Sequence, residues 1–276
     1  LSYIFYFFSK KFLSKERIVI LCYHRTSYSN NCLEKYWNVT PESFTKQMQH
    51  LKNSGFTTIY THEIPDILKN GVGDNKYACI TFDDGYSDNY KHAYSVLKKF
   101  DFKANFYIST SYLDSESPFP FLLEKGVEES SSKIPLKKHQ IEKMRGNKIS
   151  FQSHGHVHQK NPSMTKEYIK KDINDSLEIL SQFIKLEKSK LSYVAPFGVF
   201  GINANKIKTS LSELGIKLAF LGHWGSVTPD CDLLDMKRIP IYGRDSFNEF
   251  VLKTKGAYDW FGTLHKFYKD NMDRVS

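Results

Sequence analysis

The chain has 276 residues, of which 40% are hydrophobic, 25% charged and 15% aromatic, enough apolar material to bury a substantial core and too much for a disordered or collagen-like chain. Its formal net charge of +9 would suit an anionic partner, but only six of the 39 basic residues are arginines (Arg17, Arg25, Arg145, Arg238, Arg244 and Arg274). A lysine-dominated surface lacks the guanidinium forks that read bases, so no nucleic-acid partner is expected. The four cysteines, Cys22, Cys32, Cys79 and Cys231, show no C-x-x-C spacing, and no disulfide scaffold is expected.

Residues 1–17 open with the aromatic run Leu1 to Phe8, followed by Lys10, Lys11, Lys15 and Arg17. This segment reads either as a first helix packed on the domain or as a peripheral contact with a membrane interface. It lacks the basic lead and small-residue cleavage site of a signal peptide, and no run approaches the ~20 apolar residues of a membrane span. The expectation is a cytoplasmic protein, or one peripheral at the inner membrane face.

From Ile18 onward short apolar runs alternate with amphipathic stretches. Strands are predicted at 18–23, 56–60, 78–82, 104–108, 148–152, 191–195, 217–221 and 236–241. Thr40 followed by Pro41 reads as a helix N-cap and first-turn proline, with Phe44, Met48 and Leu51 on one face until Asn53 to Gly55 stops the helix. Tyr90, Tyr94 and Leu97 mark a second helix. Ile169, Ile173, Leu177, Leu180 and Ile184 mark a third that starts after Ser163. Eight largely apolar strands separated by helices predict a parallel sheet buried on both faces, a closed or distorted β/α barrel, with an open doubly wound sheet as the alternative. The stretch from Leu113 to Lys138 fits neither template and reads as a long surface loop, either the wall of a groove or a disordered segment.

Two places carry candidate chemistry. Ile80 to Gly85 is an apolar strand ending in Asp83-Asp84-Gly85, and strand C-termini are where parallel α/β folds place their chemistry. Adjacent side chains on a strand point different ways, so one carboxylate could ligate a cation while the other accepts a proton. The bland alternative is a turn and helix cap. Phe151 to His158 places His154, His156 and His158 directly after another strand, and the i, i+4 pair could share a divalent metal such as zinc. Here the alternative is a solvated polar turn. Asp84, His154 and His158 together would supply one oxygen and two nitrogens, leaving positions open for water and substrate.

These motifs resemble those of the polysaccharide deacetylases of carbohydrate esterase family four, the NodB homology group. Thr81-Phe-Asp-Asp-Gly85 is similar to the family's first motif, which implies Asp83 as the base and Asp84 as a metal ligand. Ser153-His-Gly-His-Val-His158 is similar to its second, which implies His154 and His158 as the other ligands and His156 as a spacer. Tyr193-Val-Ala-Pro-Phe-Gly198 resembles the third, and on that resemblance Tyr193, Pro196, Phe197 and the later Trp224 are substrate-binding candidates, Trp37 being a further ring that could stack on a sugar. The third motif often carries an arginine that orients the base, but position 194 is valine. Arg238, in Met236 to Pro240, resembles a late arginine that could serve instead. His24, in Ile20 to His24, resembles the early Tyr-His of the branch acting on poly-N-acetylglucosamine, which implies it as general acid in place of His223 or His265.

The resemblance thus implies a single distorted β/α barrel of NodB type over residues 18–255, preceded by the segment 1–17 and followed by a tail 256–276. It implies a metal-dependent hydrolase, zinc being the first choice of ion, that removes an N-acetyl group from a sugar of a bacterial surface polysaccharide or its precursor. The alternatives are an O-acetyl sugar esterase and an inactive glycan- or membrane-binding relative.

Overall fold

The structure is a computed structural model describing residues 16–28, 36–120, 134–159, 165–199 and 201–262. Most of the aromatic and basic segment 1–17, Cys32, the centre of the Leu113–Lys138 stretch, Ser163 and His265 lie outside these residues.

The chain order is β1 (Ile18–Tyr23), β2 (Arg25–Thr26), β3 (Asn38–Val39), α1 (Pro41–Asn53), β4 (Phe56–Thr58), α2 (Ile64–Asn70), β5 (Lys76–Phe82) and α3 (Tyr94–Phe100). Then follow β6 (Ala104–Ile108), α4 (Lys138–Met144), β7 (Ile149–Ser153), α5 (Lys166–Ser181), β8 (Ser192–Val194), α6 (Gly201–Glu213), β9 (Leu218–Phe220), β10 (Ile239–Pro240) and α7 (Phe247–Thr254). All eight strands anticipated from periodicity are present. The small β2–β3 pair, which has only two residues per strand, was too short to leave a pattern.

The eight strands form one parallel sheet in the order β10-β1-β5-β6-β7-β8-β9, and β4 pairs with the first half of β5. β4 and β6 therefore share one edge of β5 end to end. The sheet curls, and the gap between β9 and β10 is spanned by the connecting chain: Ala219 N–H donates to Leu233 O, Met236 N–H to Ala219 O, and Arg238 N–H to His223 O. This is the distorted barrel expected: the strand order runs from β1 to β9 without the reversal of a doubly wound sheet, and β10, last in the order of the chain, returns to pair with β1.

The period of two sorts each strand between two cores. Val19, Leu21 and Tyr23 face outward with Ile80 and Phe82, against Phe44, Met48 and Leu51 of α1. Ile18, Ile20, Cys79, Tyr107, Val194 and Phe220 face the barrel interior. Burial of each α1 anchor contributes about 1.5–3 kcal/mol, which holds the helix more firmly than its propensity. Thr40 caps α1 by accepting from Ser43 N–H, with Pro41 in the first turn. α5 starts after Ser163, capped by Thr165, and ends at Ser181, short of Ile184.

The described flanks of the Leu113–Lys138 stretch are packed rather than loose. Phe119 is fully buried against Tyr86 and Tyr112, and Leu136 N–H donates to Gly85 O at 2.8 Å. They brace the turn that carries Asp84. Residues 256–262 also pack on the barrel: Asp259 accepts from Ser226 N–H, and Phe261 lies 4.8 Å from Trp224. Among the described residues no helix is long and apolar enough to cross a membrane.

Candidate active site

The interior parity of β1 continues through Cys22 to His24, and that of β5 through Thr81 to Asp83. Because Cys22 pairs with Thr81 in parallel register, the next interior positions, His24 and Asp83, come side by side at the barrel mouth. Interior parity on β7 likewise delivers His154.

Asp83 is buried and held by Arg238, whose two terminal nitrogens donate to its two carboxylate oxygens at 2.7 Å each. Arg238 sits just before β10, across β1 from β5, and its guanidinium stacks over Phe220 at 5.1 Å. Burial alone would raise the Asp83 carboxyl, but the charge and hydrogen bonds of Arg238, with His154 and His24, hold it below its ordinary value. Position 194, valine instead of arginine, thus loses nothing: the orienting fork comes from the other end of the sheet.

Asp84 adopts φ 70°, which turns its carboxylate away from Asp83 and toward the histidine loop. Its Oδ1 lies 3.2 Å from His154 Nε2 and 3.0 Å from His158 Nε2, and one ligand atom from each of the three falls within 4.8 Å of the others. His154 Nδ1–H donates to Val194 O at 2.8 Å, which leaves Nε2 as the lone-pair nitrogen facing Asp84. Burial opposes the Asp84 charge, but His158 and His154 outweigh it and keep the carboxyl well below the usual range. The donor set, one anionic oxygen and two neutral imidazole nitrogens converging on one point, fits a divalent cation.

Of the six described non-glycine residues with positive φ, two, Asp84 and His158, belong to this triad and a third, Phe197, packs against it. Such backbone is strained for side-chain-bearing residues and gathers at working sites. The histidine loop is pinned by Asp172 of α5, whose carboxylate accepts from His156 N–H and Val157 N–H at 3.0 Å each. Gly155 is required here, because a Cβ would meet Asp172 Oδ2 at 2.6 Å on a residue with φ +76°. His156 turns out of the triad and pairs with Thr110 at 2.9 Å.

A ring nitrogen of His24 lies within 4.8 Å of an Asp83 oxygen, and the ring stacks on Trp37 at 4.3 Å. Burial lowers its pKa, opposed by the charges of Asp84 and Asp83. His223 points elsewhere, to Asp235 at 3.3 Å.

The substrate-binding expectations divide. Phe197 is 45% exposed and packs edge-on against His158 at 4.6 Å, and Pro196 lies buried beneath it. Trp224 joins Trp37 through Tyr242 in one aromatic wall. Tyr193 is a correction: odd parity on β8 turns it outward into the apolar cluster of Ile169, Ile173, Ala204 and Leu211, away from the mouth. Sequence reasoning also passed over Asp172 and the buried Arg25–Asp88 pair. The detectable signal for Asp172 was an acid wedged beside Ile169 and Ile173 on the apolar face of a helix.

Fold and site define a parallel-barrel hydrolase with a candidate mononuclear metal centre beside an arginine-clamped carboxylate. The sequence model of the polysaccharide deacetylase family matches residues 70–219, and the chain belongs to that family, as a hydrolase of carbon–nitrogen bonds other than peptide bonds. It is similar to the poly-beta-1,6-N-acetyl-D-glucosamine N-deacetylase of Staphylococcus aureus, at 25% identity over 91% of this chain and 87% of that one. The enzyme of the same name from Staphylococcus epidermidis is 26% identical over 80% and 74%. Among solved structures, the Streptococcus pyogenes deacetylase PplD superposes with a TM-score of 0.71 at 24% identity, covering 86% of this chain and 98% of that one. IcaB from Ammonifex degensii gives 0.68 at 18%, covering 88% and 97%. His24 and Arg238 both lie outside the matched span 70–219 and reach the site only through β1 and the approach to β10.

Proposed function

We propose that the protein is a metal-dependent N-deacetylase of a poly-N-acetylglucosamine-like polysaccharide, with the ion, zinc first among candidates, held by Asp84, His154 and His158. The observation that carries this reading is the placement, at one barrel mouth, of a convergent Asp-His-His set beside an arginine-oriented carboxylate and a histidine from the neighbouring strand.

When bound, the cation would supply Lewis acidity, polarising the acyl carbonyl and acidifying an adjacent water. Asp83 accepts the water's proton, its two oxygens kept aimed by Arg238. The water oxygen bonds to the acyl carbon. His24 in its protonated form donates to the sugar nitrogen as the carbon–nitrogen bond breaks, because an amide leaves poorly as an anion. Acetate and a free amine result. The exposed edges of Phe197, Trp37 and Trp224 supply faces on which sugar rings stack.

The similarity to the staphylococcal enzymes supports the glycan assignment. The Arg238 clamp on Asp83 speaks against an inactive relative, whose main support was the missing third-motif arginine. Purified protein should carry one zinc or similar ion per chain and release acetate from β-1,6-linked N-acetylglucosamine oligomers. Protein that binds one ion yet releases acetate only from O-acetylated sugars would overturn the amide assignment.

A further inference from the structure

Parity places Cys22 inside the barrel, one interior position before His24 and beside the base. Its Sγ lies 3.6 Å from Asp83 Oδ2, and the thiol, a His24 ring nitrogen and an Asp83 oxygen all fall within 4.8 Å of one another. This is a second convergent donor set, distinct in its residues from Asp84, His154 and His158. We propose that Cys22, His24 and Asp83 form a second, inhibitory metal site, which takes a thiophilic divalent cation such as cadmium or excess zinc and silences the enzyme by coordinating its base and its acid.

The donors have capacity to spare. A carboxylate offers about four lone-pair positions, of which Arg238 takes two. His24 Nδ1 is buried with no hydrogen-bond partner among the described residues. Without an ion the thiol stays protonated, since burial and the neighbouring Asp83 charge push it up against the opposing pull of Arg238. Binding therefore replaces the S–H bond by an S–metal bond and releases one proton to solvent, with no change of oxidation state. Thiolate and carboxylate together neutralise a divalent charge, whereas the Arg238 guanidinium repels it. The set must accordingly be the weaker of the two and fill second. Thiolate selects soft ions, so magnesium and manganese should pass it by.

The inhibitory consequence rests on the deacetylase reading, but the binding does not, and the two are separable. Metal-free protein titrated with Co2+ should take two equivalents, only the second raising sulfur-to-cobalt charge-transfer absorption. Cys22→Ser should keep the first equivalent and lose the band, with affinity for the second falling more than about tenfold. A Cys32→Ser/Cys231→Ser variant should titrate as wild type. In acetate release, protein loaded with one zinc should be inhibited by added Cd2+, and Cys22→Ser should hold its own uninhibited rate. A single equivalent, a second equivalent without the band, or a Cys22→Ser protein that titrates as wild type would overturn the site. Should the Ser variant fail to fold, Cys22→Ala makes the same test. Two equivalents in a protein that releases no acetate with any metal would leave the second site standing and remove the deacetylase reading instead.

Discussion

At the scale of single residues, the site separates two roles that adjacent side chains could easily confuse. Asp83 and Asp84 are neighbours in sequence, yet the φ of 70° at Asp84 and the Arg238 fork on Asp83 send one carboxylate to the histidines and hold the other, the proposed base, on the arginine. Asp83→Asn should keep its metal and lose turnover by about 10²- to 10⁴-fold, since an amide accepts no proton. Metal content and acetate release measured on the same preparation check this. Arg238→Gln leaves burial as the dominant influence on Asp83. Its pKa then rises, and the acid limb of kcat/KM against pH should move to higher pH. Because the folded Asp83 pKa lies below its unfolded value of about 4, its ionisation stabilises the fold above that value, and the stabilisation is lost as pH falls through the folded pKa. An unmoved acid limb in Arg238→Gln would remove Asp83 as its origin. His24→Ala should slow amide hydrolysis far more than hydrolysis of an activated ester, whose leaving group needs no proton. Equal losses on the two substrates would show that the proton comes from another group.

At the scale of elements, the histidine loop between β7 and α5 is held from two sides, by α5 and by the turn after β6, where Thr110 N–H and Ser111 N–H donate to Gly155 O and His156 O. Asp172 ties two successive backbone N–H groups of this loop to α5, and Ser153 Oγ–H donates to Ser176 Oγ of the same helix at 2.8 Å. Asp172→Ala should therefore weaken metal binding by about 10- to 100-fold, the range for groups that orient ligands. Far-ultraviolet circular dichroism should be unchanged, because α5 keeps its Ile169, Ile173 and Leu180 anchors. Metal affinity by competition with a chromogenic chelator reads the effect, and wild-type affinity would show that the loop holds itself.

At the scale of the whole molecule, the barrel gathers charges that cost stability unless a cation joins them. Asp83, Asp84 and Asp88 lie within six residues and are all buried; Arg238 serves the first and Arg25 the third. Asp84 meets the imidazoles of His154 and His158 and the Tyr86 hydroxyl. A divalent ion bound by Asp84, His154 and His158 would thus be a structural partner as well as a chemical one, and it would bind only the folded state. Stripping it with a chelator should abolish acetate release and lower Tm, the stabilisation lost being about 2.7 kcal/mol at a free ion concentration 100 times Kd. Restoring zinc should return both, and a Tm indifferent to chelation would place the ion elsewhere.

Local pattern alone determined a good part of this protein. The eight parallel strands were legible because each is a short, largely apolar run between amphipathic stretches, and α1 because its cap, proline and apolar stripe agree. The Asp-Asp-Gly and His-x-His-x-His motifs were legible because each lies on a few consecutive residues at a strand end. Three things belonged to tertiary structure. Arg238 reaches Asp83 across 155 positions of sequence because β10 and β5 flank β1. Tyr193 faces the helices because parity, invisible until the register of β8 is known, turns it there. Cys22 stands beside the base for the same reason in reverse, through the pairing of β1 with β5. Periodicity reports which residues are buried, whereas the neighbours a buried residue meets depend on how strands distant in sequence are set in register, and no local signal encodes that.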